Sequence, residues 1–193
     1  MLRGRVVPGE LMLRTPTSRR AGPLFVAVLA ACVVVLDQLS KALVIGLLPA
    51  GQGWPDKPVF GLLSLVHVQN TGVAFGLFQG NSDVLIVLSA IVVTVLVAYQ
   101  HRLAGRALVI RMAIGLQIGG AIGNVVDRVR LGHVTDFFKV GIWPVFNVAD
   151  SCIVVGVLLL AFELWRDERF RATAIDEESG PDARADPPLE AET

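Results

Sequence analysis

The sequence has few of the residues on which metal sites and disulfide frameworks depend. It contains two cysteines and three histidines among 193 residues. The histidines are scattered and no HExxH or histidine–cysteine cluster appears, so a metal mechanism has little support. Cys32 and Cys152 each lie inside an apolar run, where a free thiol behaves as a small hydrophobic group. We therefore expect no structural disulfide, no metal and no other cofactor.

Net charge is also missing, because 17 basic residues are matched by 17 acidic residues. A chain without excess positive charge has no general attraction for nucleic acid, and we expect no nucleic-acid partner. Apolar residues are abundant instead: they make up 53% of the chain, and its mean hydropathy is +0.62. Long uncharged apolar runs in such a chain indicate a membrane protein.

Four apolar runs predict four transmembrane helices. The predicted bounds are about 23–48, 83–100, 107–127 and 148–165, within a membrane domain over 22–165. The first run is longer than the apolar part of a cleaved signal peptide, and no small-residue cleavage site ends it. We therefore predict that it is an uncleaved helix that spans the membrane with some tilt.

The segments outside the helices differ in character. The first outer loop, 49–82, contains VFGLLSLVHVQN, which alternates weakly and predicts a short strand, and NTGVAFGLFQGN, which is typical of a glycine-rich loop. The second outer loop is 128–147. The predicted fold class is an all-α membrane protein with four transmembrane helices and a small extracytoplasmic β-rich segment. The N-terminal arm, 1–21, and the charged tail, 166–193, are predicted to be disordered because the tail lacks apolar periodicity and the arm is polar.

The distribution of lysine and arginine predicts the orientation of the helices. The N-terminal arm has five arginines, the turn between the second and third helices has two, and the start of the tail has three. The first outer loop has one basic residue and the second has three. Because basic residues favour the cytosolic side, both termini are predicted to be cytosolic and both outer loops to be extracytoplasmic.

Four aspartates converge on the outer side of this arrangement. Asp37 lies about 14 residues into the first helix, which is about 21 Å from its inner end at 1.5 Å per residue. Asp127 ends the third predicted helix, Asp136 lies in the loop that follows, and Asp150 begins the fourth helix. An ionisable group at membrane depth costs about 2.5–3.5 kcal/mol on insertion scales, so this convergence indicates a functional site.

Each acid also has a purely structural interpretation. Asp37 and Lys41 are four residues apart on one helix face and could neutralise each other. Asp127 could pair with Arg128 or Arg130. The polar residues at the start of the fourth helix could serve only as its cap and as a favourable charge for its dipole.

Two neighbouring carboxylates at the mouth of a helix bundle support one chemistry without a metal, serine or cysteine. Like charges a few ångströms apart do not both ionise readily, so the pair shares a proton. The ionised member removes a proton from water, while the protonated member polarises the scissile carbonyl and later protonates the leaving amine. This is aspartic peptidase chemistry. The spacing does not identify which two of the three outer acids form the pair.

Four motifs stand out along the chain: DQLSK at 37–41, NTGVAFG at 70–76, GGAIGNVVDR at 119–128 with GHVTDFF at 132–138, and FNVADS at 146–151. Together they resemble the motifs of lipoprotein signal peptidases, the type II signal peptidases of bacteria. They occur in that family's order, and the chain resembles the family over about 24–165.

The resemblance implies a four-helix aspartyl endopeptidase of the bacterial cytoplasmic (inner) membrane, with its active site at the outer leaflet. Such enzymes cleave diacylglyceryl-modified prolipoproteins on the amino side of the lipid-modified cysteine. The implied partners are prolipoproteins, membrane lipid and globomycin-type inhibitors. The family's catalytic pair falls on Asp136 and Asp150. Positions that match its substrate or inhibitor site are Asn70, Asn124, Arg128 and Asn147, and those that match supporting contacts are Asp37, Lys41 and Asp127.

Two other functions use the same acids differently. A small ion-coupled transporter would use them as a proton relay, but acids spread through the membrane thickness and an inverted repeat would then be expected. A scaffold would use them as structural ion pairs only. Cleavage of a lipid-modified precursor by the purified protein distinguishes a peptidase from both.

Overall fold

The computed structural model describes residues 21–60, 62–72, 80–102 and 108–178. Within these residues the order of elements is α1–β1–β2–α2–α3–β3–α4. The helices are α1 (Ala21–Leu47), α2 (Ser82–Arg102), α3 (Leu108–Leu131) and α4 (Val148–Glu178), and the strands are β1 (Gly53–Val59), β2 (Leu63–Asn70) and β3 (Val134–Val140). Each helix contains a stretch long and apolar enough to cross a membrane. The predicted fold class, four such helices with a small β-rich segment, is confirmed.

The third helix, α3, is the one around which the others pack. Of its apolar stretch, 61% is buried, against 28% for α1, 17% for α4 and 6% for α2. In lipid the hydrophobic effect between helices is weak, so association depends on close van der Waals contact between backbones. The apolar faces that α1, α2 and α4 leave exposed are the faces that lipid would surround.

Two adjacent glycines in α3 allow this close contact. A Cβ atom on Gly119 would lie 2.7 Å from the carbonyl oxygen of Ala30 in α1. A Cβ atom on Gly120 would lie 2.5 Å from the carbonyl oxygen of Ala149 in α4. Real Cβ atoms do not approach backbone oxygens so closely, so any larger residue would push the helices apart.

Replacing Gly120 with alanine should therefore lower the melting temperature of the purified protein in detergent. Overpacking of a close contact typically costs about 1–3 kcal/mol. The matched control is Gly46→Ala in α1, where the added Cβ meets nothing within 4 Å. Alanine is the better helix former, so this control should leave the melting temperature unchanged or slightly raised. Equal melting temperatures for the two variants would contradict the packing argument.

The three strands form one antiparallel sheet in the order β1–β2–β3. In the β2–β3 pair, Val68 lies opposite Asp136 and Asn70 lies opposite Val134. Residues 132–133 alone separate α3 from β3, and 141–147 connect β3 to α4. The sheet is therefore attached directly to the end of α3 and the start of α4, and Asp136 is placed near both helix ends.

Several element bounds differ from the sequence predictions. The strands β1 and β3 lie in segments that we predicted as loop, because Pro55 and Pro58 disfavour a strand and VTDFFKV has no clear alternation. The helix α3 continues to Leu131, so Asp127 lies a full turn inside it. The stretch of α4 that is apolar enough to span the membrane ends at Arg166, close to the predicted 165, but the helix itself continues over 166–178. This segment lacks glycine and proline and consists mostly of residues that tolerate a helix.

Four parts of the predicted organisation lie outside the described residues. They are the N-terminal arm over 1–20, the glycine-rich loop at 73–79, the turn between the second and third helices at 103–107, and the tail at 179–193.

Candidate active site

The site begins at the N-terminus of α4, where Asn147 is the cap. The side-chain Oδ1 of Asn147 accepts from the backbone N–H of Asp150 at 2.9 Å. The Asp150 Oδ2 atom accepts in return from the backbone N–H of Asn147 at 3.2 Å. This reciprocal pair is a capping box with aspartate as the third helical residue, and it explains the spacing of three residues. The predicted capping interaction is present, and it fixes the position of the Asp150 carboxylate.

The side-chain NH₂ group of Asn147 links this cap to the sheet. It donates to Asp136 Oδ1 at 2.7 Å and to Asn124 Oδ1 at 3.1 Å. Asn147 is completely buried, so these bonds are shielded from water and strengthened by the low local dielectric. One asparagine therefore contacts both Asp136 and Asp150.

Two further asparagines complete the hydrogen bonds of the carboxylates. Asn124 of α3 donates to Asp150 Oδ1 at 2.8 Å. Asn70 at the end of β2 donates to Asp136 Oδ2 at 2.8 Å, while its own Oδ1 accepts from the backbone N–H of Gly72 at 3.0 Å. Each carboxylate thus receives two N–H donors from neutral groups.

A second cluster lies next to this one and is centred on Lys41. The Nζ atom of Lys41 lies 2.8 Å from Asp37 Oδ2 and 3.0 Å from Asp127 Oδ2. It also donates to Asn124 Oδ1 at 3.0 Å. The Lys41 side chain is 2% exposed. Its three donors therefore have three partners, as burial of an ammonium group requires.

The two acids of this cluster also hold the backbone. Asp37 Oδ1 accepts from the N–H of Ala149 in the first turn of α4 at 3.0 Å. Asp127 Oδ2 accepts from the N–H of Thr135 in β3 at 3.0 Å. The cluster thus ties α1 to α4 and α3 to the sheet, and it positions the elements that carry Asp150 and Asp136.

The structural ion pairs predicted from the sequence are only partly correct. Asp37 and Lys41 do pair, as their spacing predicts. The cation that pairs with Asp127 is also Lys41, whereas Arg130 donates to Gln38 Oε1 at 3.3 Å. Asp127 therefore pairs with Lys41 of α1, and not with Arg128 or Arg130 as we predicted.

Sequence reasoning missed Gln38 as a member of the site. Its Nε2 atom lies 2.8 Å from Asp127 Oδ1 and 3.2 Å from the carbonyl oxygen of Gly123. The available signal was a polar residue inside an apolar helix, directly after Asp37. It was treated only as an interruption because helical spacing does not show which neighbour it meets.

Arg128 connects the last turns of α3 to the segment that follows β2. It is 9% exposed, and its Nη2 atom donates to the carbonyl oxygen of Gly72 at 3.2 Å. It lies within electrostatic range of Asp136, Asp150 and Asp127. Among the described residues its Nε atom has no hydrogen-bond partner. Arg128 therefore has donor capacity available beside the two carboxylates.

The surroundings of Asp136 favour its protonated form. Burial, followed by the nearby charge of Asp150, raises the pKa of Asp136 from 3.8 to about 6. Hydrogen bonds from Asn70 and Asn147 and the charge of Lys41 act in the opposite direction. A carboxyl group with such a pKa can hold a proton close to neutral pH, as an acid in a carboxylate pair must.

This pKa predicts a pH-dependent contribution to stability. Between about pH 4 and 6 the folded protein holds a proton on Asp136 that the unfolded chain has lost, so the free energy of unfolding from this group falls as pH rises through that window. Asp136→Asn removes the titration. The melting temperature of the variant minus that of the wild type should rise from pH 4 to 6 and then level off. A difference that is independent of pH would contradict the raised pKa.

Metal ligation has no evident site in the described part of the chain. No group of three or more histidine, cysteine, aspartate or glutamate side chains there is placed to hold a metal ion. The arrangement instead presents a buried carboxylate, Asp136, and a partly buried one, Asp150, joined through one amide. This geometry suits the transfer of protons to and from a water molecule and a peptide bond.

Comparisons with known proteins identify the family of the chain. The family described as Signal peptidase (SPase) II matches residues 29–166. The chain is 40% identical over 145 residues to a lipoprotein signal peptidase of Halothermothrix orenii. The aligned region covers 75% of this chain and 97% of that relative. It is 43% identical over 132 residues to a lipoprotein signal peptidase of Dehalococcoides mccartyi. That aligned region covers 66% of this chain and 81% of the relative.

The fold has a solved counterpart as well. A bacterial membrane enzyme, whose structure was determined by the in meso method, is similar with a TM-score of 0.69 and 30% sequence identity, over 74% of this chain and 88% of that chain. The residues that match the family, 29–166, include all four apolar stretches in part or whole, the sheet and both carboxylate clusters. On this evidence of sequence and fold, the chain belongs to the signal peptidase II family.

Proposed function

We propose that this signal peptidase II is an aspartic endopeptidase in which Asp136 and Asp150 are the catalytic pair. Family membership makes the protein a protease that removes signal peptides from prolipoproteins. The observation that carries the catalytic assignment is the position of Asn147. This buried amide donates to Asp136 and exchanges two hydrogen bonds with Asp150, so both carboxylates belong to one network.

The partners of the acids favour this pair over the others. Asp37 and Asp127 each contact the ammonium group of Lys41, and a carboxylate beside a cation is a poor proton acceptor. The hydrogen bonds of Asp136 and Asp150 come from amides and from a backbone N–H. Two carboxylates whose hydrogen-bond donors are all neutral and which belong to one network are suited to share one proton.

The reaction follows from that shared proton. The ionised member of the pair takes a proton from water, and the water oxygen attacks the scissile carbonyl carbon. The protonated member donates its proton to the carbonyl oxygen, which gives a neutral tetrahedral intermediate. When this intermediate collapses, the ionised member takes a proton from one of its two hydroxyl groups, the C–N bond breaks, and the protonated member gives its proton to the leaving amine. The products are a carboxylic acid and an amine, and the pair again holds one proton.

The remaining polar residues divide into two roles. Asn124 and Asn147 use their amides on the carboxylates, so we assign them to orienting the pair. Arg128 has donor capacity available next to the pair and is assigned to a carbonyl of the bound peptide. Asn70 holds both Asp136 and the backbone of Gly72, and it thus connects the pair to the segment that directly follows β2.

The proposed substrate is a prolipoprotein whose cysteine carries diacylglyceryl, cleaved on the amino side of that cysteine. Asp136 and Asp150 lie where α3 and α4 meet the sheet, at one end of the spanning helices. The lipid chains of the substrate would remain in the bilayer while the peptide bond lies near its surface, at the level of the two carboxylates. A globomycin-type inhibitor would occupy the same position.

Purified protein tests this proposal directly. A diacylglyceryl-modified precursor should be converted to a shortened product whose mass places the cut before the modified cysteine. The same precursor without the lipid should be cleaved much more slowly, and a globomycin-type inhibitor should stop the reaction. An aspartic mechanism is contradicted if a serine- or cysteine-directed reagent or a metal chelator abolishes cleavage.

We further propose that both termini are cytosolic and that the sheet lies on the outer side of the bacterial inner membrane. The bias of arginine and lysine supports this orientation. Reporter fusions after Thr193 and near residue 55 should report opposite sides of the membrane. Reports from the same side would contradict the orientation, whatever the activity of the fusions.

A further inference from the structure

The far end of the sheet carries four exposed apolar side chains, which we call the apolar tip: Phe60, Leu62, Ile142 and Trp143. Their exposed fractions are 92%, 56%, 105% and 65%. They come from two segments, the turn between β1 and β2 and the turn after β3. Large apolar side chains grouped on an exposed surface usually mark a site of interaction.

The two turns are joined, so the four side chains form one surface. The backbone N–H of Gly141 donates to the carbonyl oxygen of Leu62 at 2.9 Å, which joins the two turns. The backbone N–H of Trp143 donates to the carbonyl oxygen of Val140 at 2.9 Å, which closes the turn after β3. Phe60 has a φ of 53°, a conformation that bulky residues rarely adopt. Backbone strain of this kind persists where the surroundings or a function require it.

The position of the sheet restricts what can cover the tip. Short connections join the sheet to the ends of α1, α3 and α4, each of which contains a membrane-spanning stretch. A connection of a few residues reaches about 3.3 Å per residue, so the sheet stays near the level at which these helices leave the bilayer. The nearest large apolar phase is therefore the lipid that surrounds the helices.

The chemistry of the tip fits that phase. Tryptophan is enriched where proteins meet the headgroup region of a membrane. Lys139, in the strand beside the tip, is exposed and would face the phosphates of anionic lipids. We propose that the apolar tip inserts into the bilayer leaflet on the side of the catalytic pair and anchors the sheet there.

This anchor has a consequence for the reaction, which rests on the proposed function. Val140 and Asp136 are four residues apart on β3, a distance of about 14 Å along a strand. Insertion of the tip at one end of β3 fixes the depth of Asp136 near the other end. The anchor therefore holds the catalytic carboxylate at the level where the peptide bond of a lipid-anchored substrate arrives.

Fluorescence quenching tests the membrane contact without reference to activity. The chain has three tryptophans, so Trp54→Phe with Trp165→Phe leaves Trp143 as the single emitter. The protein is reconstituted into phosphatidylcholine–phosphatidylglycerol vesicles, with bromine atoms placed shallow or deep on the acyl chains. Shallow bromines should quench Trp143 strongly, and aqueous acrylamide should quench it weakly. Strong acrylamide quenching without bromolipid quenching would overturn the proposal, as would quenching by neither, because a protein contact would then cover the tip.

Cleavage activity in vesicles and in detergent micelles tests whether the apolar tip positions Asp136. The double variant Ile142→Ser/Trp143→Ser should lower kcat/KM for a lipid-modified precursor in vesicles about tenfold, which corresponds to about 1.4 kcal/mol. In detergent micelles its kcat/KM should match that of the wild type. An equal loss in both environments would overturn the anchoring role, because it would show a folding or catalytic defect instead. Absence of any wild-type cleavage would contradict the proposed function and leave the quenching result valid.

Discussion

Asp136→Asn and Asp150→Asn should each reduce the rate of precursor cleavage by at least about 10²–10⁴-fold, the range typical of general acid–base catalysis. Each substitution removes one member of a pair that shares a proton. The remaining carboxylate cannot both accept a proton from water and supply one to the carbonyl. Because asparagine is nearly the same size as aspartate, both variants should stay folded and should still bind a globomycin-type inhibitor.

The matched control for these variants is Asp83→Asn. Asp83 is an exposed acid in the first turn of α2, away from the other acids along the chain and outside both clusters. This control should retain the wild-type rate. The double variant Asp136→Asn/Asp150→Asn should lose little more than either single variant, because the two residues act as one unit.

The decisive measurement is the cleavage rate per folded molecule, determined beside a melting curve for every variant. A folded Asp127→Asn protein without activity, together with an Asp136→Asn protein that turns over normally, would show that Asp127 and Asp150 are the pair. Our assignment of Asp136 would then be wrong, although the fold and the family would be unaffected.

Lys41→Met should cause the largest loss of stability of any single substitution in the polar network. It would leave Asp37 and Asp127 buried beside each other without their shared cation. Removal of one partner from a buried ion pair typically costs about 3–5 kcal/mol. The control is Lys139→Met, on the exposed part of β3, where the loss should be small.

The acids of this cluster should behave differently from the lysine. Asp37→Asn or Asp127→Asn leaves Lys41 with one carboxylate, so each should cost less than Lys41→Met. The loss should still exceed that of Asp83→Asn, because each acid also holds a backbone N–H of a neighbouring element.

In the sharpest test of this network, the effect of Asp127→Asn on the melting temperature should change sign when Lys41 is replaced. In the Lys41→Met background, Asp127→Asn should raise the melting temperature, because it removes a buried charge that has lost its counterion. In the wild type, the same substitution should lower it. A lower melting temperature in both backgrounds would show that the hydrogen bonds of Asp127, and not its charge, determine the stability of this region.

The sequence could predict those features that depend on neighbours along the chain. Long uncharged runs require helices in lipid, because no other single-segment structure satisfies every backbone hydrogen bond there. The pairing of Asp37 with Lys41 follows from their spacing of four residues on one helix. The capping of α4 by Asn147 follows from the apolar run that begins directly after it. Each of these predictions uses local spacing only, and the structure contains all three features.

Other features depended on contacts between distant segments. The strands β1 and β3 were missed because their pairing with β2 outweighs the prolines of one and the irregular polarity of the other. Gln38 and the ion pair of Lys41 with Asp127 join α1 to a helix more than 80 residues away, and no local spacing indicates such a partner. The helices α3 and α4 also extend beyond the predicted transmembrane segments, because polar residues continue both helices beyond their apolar runs.

The division among the acids shows this limit most clearly. The residues alone predicted that the chain is embedded in lipid and that four aspartates lie toward one side of the membrane, but their spacing gave no reason to separate Asp127 from Asp136. Only the tertiary structure shows that their surroundings differ, because packing of α1 against α3 brings Lys41 to Asp37 and Asp127 and leaves Asp136 and Asp150 with neutral hydrogen-bond donors. The physical reason is that the proton affinity of a buried carboxylate depends on the charges around it in space.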